Sequence, residues 1–238
     1  MKIGLIADIH GNLPALKVIL DKFEREECDS IYCLGDTIAI GPSSKECIDL
    51  LLTLPNINFI MGNHEEYFVK GVSSITSESM SEGEKQHQIW IAKSLNNEIR
   101  ERLSKFPYLI EENIKGTNVA FMHYALNNRE DTKTFKPIEK NVTKESMNTL
   151  FKEIASDLIF FGHEHNASNI IGEKHYINIG SSGCTKDDIT HCTIVKFKDK
   201  SYDIKVHSMK YDKEDVLREL YKREVPEKES ISKYFFNV

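Results

Sequence analysis

Four short apolar runs in this 238-residue chain each break off at a polar residue of one narrow chemical kind. Residues 2–7 end at Asp8-Ile9-His10, residues 31–34 at Gly35-Asp36, residues 57–61 at Gly62-Asn63-His64-Glu65, and residues 158–161 at Gly162-His163-Glu164-His165. Such runs, closed by glycine or a polar residue, read as buried strands. Helical patterns separate the first three. Strand, helix, strand, helix, strand implies parallel pairing with right-handed crossovers. Sheets of that kind build their sites where strands end, which is where the polar residues fall.

The helices have their own signals. Asn12-Leu13-Pro14 starts one, with proline in the tolerated first turn, and Leu13, Leu16, Leu20 and Phe23 share a face. Ser43-x-x-Glu46 reads as a capping box that opens a helix through Leu54. From Gly71 to Gly83 the chain turns polar and reads as a loop, either a lid over a site or an uninvolved surface segment. A second capping box at Ser81 and Glu84 opens helices through about Lys105. The second half predicts strands near 108–112, 118–123, 158–162, 175–179, 192–198 and 202–208, a helix near 143–155, and a terminal helix from about Asp212 to before Pro226. The apolar tail Tyr234-Phe235-Phe236-Asn237-Val238 is expected to pack on its own domain rather than on a partner subunit. With no repeat or linker, residues 1–238 read as a single domain.

Composition narrows the function classes. Hydrophobic residues make up 40% and charged residues 29%, enough apolar material for a real core. A formal net charge of −6 gives no general attraction for nucleic acid or anionic membranes. No apolar stretch approaches the length of a membrane span, and the chain runs straight into its first strand without a signal peptide. Five cysteines, an odd number without zinc-site spacing, read as reduced and mostly buried thiols. Together these predict a cytoplasmic protein.

With the lone His123 added, the strand-end series is Asp8, His10, Asp36, Asn63, His123, His163 and His165. All are donors to divalent metals, too many for one ion and about right for two that share a carboxylate. Two ions roughly 3.5–4 Å apart are a device for attacking phosphorus. Residues two apart in an extended chain point the same way, so Asp8 and His10 can serve one ion, and His163 and His165 repeat the spacing. Asp36, alone after its strand, suits the bridging position because a carboxylate has two oxygens. His64, adjacent to Asn63, is left free for proton transfer. Gly35, Gly62 and Gly162 each precede a donor, where the backbone must turn. The turn Asn178-Ile179-Gly180-Ser181-Ser182-Gly183 is placed to close one side of the site. His87, His175, His191 and His207 lack such context and read as structural or surface residues.

In this order the motifs resemble the calcineurin-like metallophosphoesterase superfamily, from Asp8 to Gly183. The short chain is most similar to its compact bacterial and archaeal phosphodiesterase-like members. The resemblance implies an α/β (α+β) fold of two facing mixed β-sheets flanked by helices, a four-layer sandwich with a dinuclear site at one edge. It assigns Asp8, His10 and His165 to one metal, Asn63, His123 and His163 to the other, and Asp36 to both. His64 matches the family's catalytic histidine, and Glu65 becomes its partner, orienting the ring. The ions implied are two of manganese, iron, zinc, nickel or cobalt, among which oxygen and imidazole donors do not discriminate.

The activity implied is hydrolysis of a small phosphate ester or nucleotide, a phosphodiester or a phosphomonoester. A hydroxide held between the ions attacks in line, and His64 protonates the departing alkoxide. Two phosphate-gripping arginines of the protein phosphatases and dinucleoside tetraphosphate hydrolases are missing. Thr37-Ile38-Ala39-Ile40-Gly41-Pro42 follows Asp36, and Glu66-Tyr67-Phe68 follows the Asn-His motif. Bidentate arginine suits terminal phosphates, so a diester substrate is favoured. A dinucleoside polyphosphate hydrolase, a phosphoprotein phosphatase and a non-catalytic metal-binding interaction module like the retromer subunit are the alternatives. A repair nuclease is disfavoured by the compact acidic chain. Tyr124, Arg129 and Lys133 are candidate substrate contacts, a solvated basic loop being the competing reading. A homo-oligomer is compatible with all of these.

Overall fold

A computed structural model describes residues 1–71, 80–127 and 134–238. The first apolar runs form the parallel strands β1 (Lys2–Ile6), β2 (Ser30–Cys33) and β3 (Ile57–Phe59). The hairpin strands β9 (Ile189–Lys198) and β10 (Ser201–Lys210) add antiparallel to β1, giving the order β10-β9-β1-β2-β3. The second five-stranded sheet has the order β4-β5-β6-β8-β7. It comprises β4 (Leu109–Ile114), β5 (Thr117–Met122), β6 (Leu158–Phe161), β7 (Ser168–Ile171) and β8 (His175–Asn178). Pairing across β5, β6 and β8 is parallel, and β4 and β7 close the edges antiparallel. Both sheets are mixed, as the resemblance implied.

Strand alternation decides which side chains meet between the sheets. Ile3, Leu5 and Ala7 point inward to Val119, Phe121, Leu158 and Phe160, forming one buried core. The opposite face of β1 packs on helices. Ile6 lies with Leu16, Ile19 and Phe23 of α1 (Leu13–Arg25) and Cys47 and Leu51 of α2 (Ser44–Leu52). The outward residues Ala120, Met122, Ile159 and Phe161 of the second sheet are covered by Met147 of α6 (Lys144–Leu150) and by Phe151. Helix, sheet, sheet, helix is the four-layer arrangement.

Two groups of helices stand beside the first sheet. Helices α3 (Asn63–Lys70), α4 (Glu82–Ser94) and α5 (Asn97–Leu103) share Phe68, Ile91, Ile99 and Leu103 with Ile48 of α2. Helices α7 (Lys213–Lys222) and α8 (Lys228–Phe235) bring Val216, Leu220, Ile231 and the following Phe236 onto Ala15 of α1. The C-terminal segment therefore packs on its own chain.

Several local expectations change. The box at Ser81 forms: Glu84 accepts from the Ser81 N–H at 2.6 Å, and the Ser81 hydroxyl accepts from the Glu84 N–H at 3.2 Å. The box at Ser43 does not. Its backbone N–H already donates to Gly11 O at 3.0 Å, and Glu46 is drawn to Arg223 Nη1 at 2.8 Å. Helix α6 stops at Leu150, short of the predicted 155, and α3, β7 and α8 were not anticipated. Most of the polar loop after Gly71, residues 72–79, lies outside the described residues. Among the described residues no helix is long and apolar enough to cross a membrane.

Candidate metal centre

Every predicted donor comes from the same end of the two sheets. Asp8 and His10 follow β1, Asp36 follows β2, His123 follows β5, and His163 and His165 follow β6. Asn63 and His64 open α3 rather than trailing a strand. The loops after β1 and β2 run side by side: Asp8 N donates to Gly35 O at 3.0 Å and His10 N to Asp36 O at 3.0 Å. The Asp-x-His spacing works by a different device from strand alternation. Asp8, His10, Asp36 and His163 have φ of 52°, 48°, 54° and 70°, the left-handed region that non-glycine residues avoid. Glycine is needed where backbones then crowd: a Cβ on Gly62 would lie 2.3 Å from Asp36 N, and one on Gly162 would lie 2.7 Å from Asp8 Oδ2. The Asn178–Gly183 turn does close one side, with Ser181 Oγ donating to Asp8 O at 2.8 Å.

The donor atoms fall into two groups joined by one carboxylate. On one side His10 Nε2 and His165 Nε2 are 3.1 Å apart, and each is 4.0 Å from Asp8 Oδ1. On the other, His123 Nε2 lies 3.0 Å from Asn63 Oδ1 and 3.1 Å from His163 Nδ1. Asp36 Oδ2 stands between them, 3.8 Å from His10 Nε2 and 3.4 Å from His123 Nε2. Backbone carbonyls fix two of the rings. His123 Nδ1 is 2.8 Å from Leu34 O and His10 Nδ1 is 3.3 Å from Ile38 O, which leaves each Nε2 to face the cluster.

The buried cluster limits its own charge with protons on Asp8 and His123. Asp8, Asp36, His10 and His123 are all buried. Burial pushes Asp8 up to about 8, with neighbouring Asp36 adding to the rise. Burial also pulls His10 well down, His163 to about 3 and His165 to about 4, so these rings stay neutral. For Asp36 the effect of burial is overcome by the His123 and His64 fields, which hold it low. For His123 burial is overcome by Asp36, which raises the ring to about 9. A proton on His123 thus sits among Asn63, His163 and Asp36, in the position where a cation would serve all four. The described ion pairs of Asp8 and Asp36 are with histidines alone. Neutral imidazoles, an amide oxygen and two buried carboxylates are a donor set that fits divalent transition metals.

Glu65 and His64 part company. Glu65 is buried, and its oxygens accept from four backbone N–H groups: Asp36 at 2.7 Å, Thr37 at 2.8 Å, Ile38 at 3.2 Å and Gly62 at 3.1 Å. Its work is to shape the loop that carries Asp36, and the expected pairing with the His64 ring is not formed. Gln88 of α4 takes that place, with Nε2 3.0 Å from His64 Nδ1. The other face of His64 meets His10, ring centroids 5.2 Å apart, and its backbone N–H donates to Asp36 Oδ1 at 3.0 Å. Burial lowers the His64 ring below its ordinary value.

Tyr124 is buried beneath the site rather than facing a substrate. Its ring lies 5.0 Å from that of His163, and its hydroxyl accepts from the Glu139 N–H at 2.8 Å. Arg129 and Lys133 lie outside the described residues. Cys184, read from sequence as one more buried thiol, has its sulfur grouped with His10 and His165, all within 4.8 Å of one another. Neither Gln88 nor Cys184 has a motif. Only the docking of α4 and of the 178–183 turn brings them in. His87 is structural, as expected: its Nε2 accepts from Ile40 N at 2.8 Å and its Nδ1 lies 3.2 Å from Pro226 O.

Known proteins fall on the same architecture. A profile of the calcineurin-like phosphoesterase superfamily domain matches residues 1–200. An uncharacterised protein of Methanocaldococcus jannaschii is 30% identical over 244 residues, covering 94% of each chain. The crystal structure of a hypothetical protein from Pyrococcus horikoshii is similar with a TM-score of 0.83 at 18% identity, covering 100% of this chain and 98% of the other. A metallophosphoesterase from Sphaerobacter thermophilus follows with a TM-score of 0.74 at 21% identity, covering 99% and 98%. Profile, full-length relative and fold agree: the chain belongs to the calcineurin-like phosphoesterase superfamily.

Proposed function

We propose that the protein is a metal-dependent phosphodiester hydrolase of small substrates with His64 as its general acid. The observation that carries the reading is Asp36 Oδ2, set 3.8 Å from His10 Nε2 and 3.4 Å from His123 Nε2, one carboxylate oxygen facing two donor groups. Asp8, His10 and His165 would hold one divalent ion and Asn63, His123 and His163 the other. Bound there, two such ions would supply Lewis-acid charge for the phosphoryl oxygens and lower the pKa of water.

The chain's own contribution is positional. His64, tethered through its N–H to Asp36 and through its ring to Gln88, stands beside the cluster with its proton available to a departing alkoxide. Residues 37–42 and 66–68 supply no arginine fork, which favours a diester over a terminal phosphate. Dinucleoside polyphosphate or phosphoprotein hydrolysis remains the second substrate assignment.

A metal-reconstituted screen of nitrophenyl esters, cyclic nucleotides and dinucleoside polyphosphates tests the reading, with diester turnover expected. His64→Ala is expected to depress hydrolysis of an alkyl diester at least a hundredfold and that of a nitrophenyl diester far less, because nitrophenolate leaves without a proton. Equal losses on both substrates would remove His64 from the acid role. Full metal loading with no turnover of any ester would point instead to a binding module.

A further inference from the structure

A cleft of about 460 Å³ opens beside the metal centre between α4 and α8. Its walls include His64 and Gln88, the carboxylates of Glu84 and Glu227, and the rings of Tyr234 and Phe235. Phe235 also reaches the cluster, its ring centroid 5.8 Å from that of His165. We propose that this cleft seats the leaving alcohol, and that it takes a flat, hydroxyl-bearing group of the nucleoside kind carrying no phosphate of its own. The inference rests on the hydrolase reading, in which the departing oxygen lies on the His64 side.

The chemistry of the walls makes the selection. Among the described residues none lining the cleft is lysine or arginine. Helix α4 begins at the cleft, and a helix N-terminus ordinarily welcomes an anion. Here the protein has filled that place with its own carboxylates. Glu84 accepts from the Ser81 N–H at 2.6 Å, and a Cβ on Gly83 would lie 2.2 Å from Glu227 Oε1. A phosphate on the leaving group would meet two carboxylates on the cleft walls and neither lysine nor arginine among them. Sugar hydroxyls and amino groups, by contrast, are donors that carboxylates accept. Lys233 Nζ lies 5.5 Å from the centroid of the Tyr234 ring, and the rest of that 65% exposed ring, with Phe235, offers a surface for a flat group to stack on. A volume near 460 Å³ is in the range that accommodates a small-molecule ligand.

Two measurements on the full-length, metal-loaded protein test this. The first compares adenylyl-adenosine with the same dinucleotide phosphorylated on its leaving nucleoside. The unphosphorylated substrate is expected to have at least a tenfold higher kcat/KM, and the gap should close in the Glu84→Gln/Glu227→Gln double variant. Glutamine at 84 keeps the helix cap intact. Equal kcat/KM in the wild type overturns the inference and leaves the hydrolase reading standing. The second uses Trp90, the chain's single tryptophan, whose ring lies 6.0 Å from that of His87 in the cleft wall. Adenosine should change its fluorescence saturably, and the exposed Tyr234→Ala should weaken that binding at least fivefold. No saturable response overturns the cleft as a seat. A saturable response lost in Tyr234→Ala, from a metal-loaded protein that turns over no ester of any kind, sinks the hydrolase reading and leaves the cleft a nucleoside seat without a leaving group.

Discussion

Asp36 carries the heaviest demand of any single side chain. One oxygen faces both donor groups while the other accepts from the His64 N–H at 3.0 Å. Asp36→Asn is therefore expected to lower the content of both metals together in elemental analysis of the purified protein. Retention of one full equivalent would assign Asp36 to one ion only. Glu65 supports Asp36 from behind, and Glu65→Ala would strand four buried backbone N–H groups. At about 1 kcal/mol or more each, the loss should be about 4 kcal/mol or greater in urea unfolding, with Glu65→Gln milder. The side chains gathered in the cluster were legible in the sequence as carboxylates and imidazoles at the ends of apolar runs. Their supporters were not. The family resemblance made Glu65 the partner of His64, whereas the docking of α3 against the Asp36 loop turns it to the backbone. Gln88 lies 24 residues from His64, and its hydrogen bond depends on how α4 packs.

Helix α4 ties the site to the C-terminus through His87, whose two ring nitrogens meet Ile40 and Pro226. Burial lowers this ring from its ordinary 6.5 to about 4. The unfolded chain takes up the proton first, so stability is complete above pH 6.5, falls between 6.5 and 4, and levels off below. The full drop attributable to His87 is about 3 kcal/mol. His87→Gln should flatten the pH dependence of apo-protein unfolding by that amount, and an unchanged slope would remove His87 as its source. Helix α8 makes a separate contribution. Ending the chain at Val225 removes Ile231 and Phe236, both buried against α1 and α7, and should cost about 4 kcal/mol by thermal or urea melting. Elements with long stripes or strong caps, such as α1 and α4, were legible from pattern. Helix α8 was not: it is only eight residues long, and its N-cap Glu227, at φ 65°, makes no side-chain cap bond. Nor was the failed box at Ser43, where Arg223, 180 positions downstream of Ser43, claims the glutamate.

The two sheets share a single interior, in which Leu5, Tyr32 and Val195 of one meet Phe121, Leu158 and Ile177 of the other. The Tyr32 hydroxyl crosses that interior to donate to Glu112 on β4, and the Tyr32 ring stacks on Phe121 with centroids 4.0 Å apart. A core built this way should not melt in halves. Urea unfolding followed by Trp90 fluorescence, which reports α4, and by far-ultraviolet circular dichroism should give coincident transitions. An earlier fluorescence transition would mark the α3–α5 group as a separate unit. The parallel βαβ start was readable from the apolar runs, whereas the two-sheet architecture came only from the family resemblance of the motif series. The placement of β9 beside β1 was not, because nothing in residues 189–198 names a partner so distant in the chain. The left-handed backbones at Asp8, His10, Asp36 and His163 carry a further consequence, this time for descent. At each of them glycine or asparagine would relax the chain while the donor chemistry holds it strained. In a lineage freed from catalysis, these four positions are where drift toward glycine or asparagine gains stability at once. Loss of function in a relative should be visible there first, ahead of any change in its core.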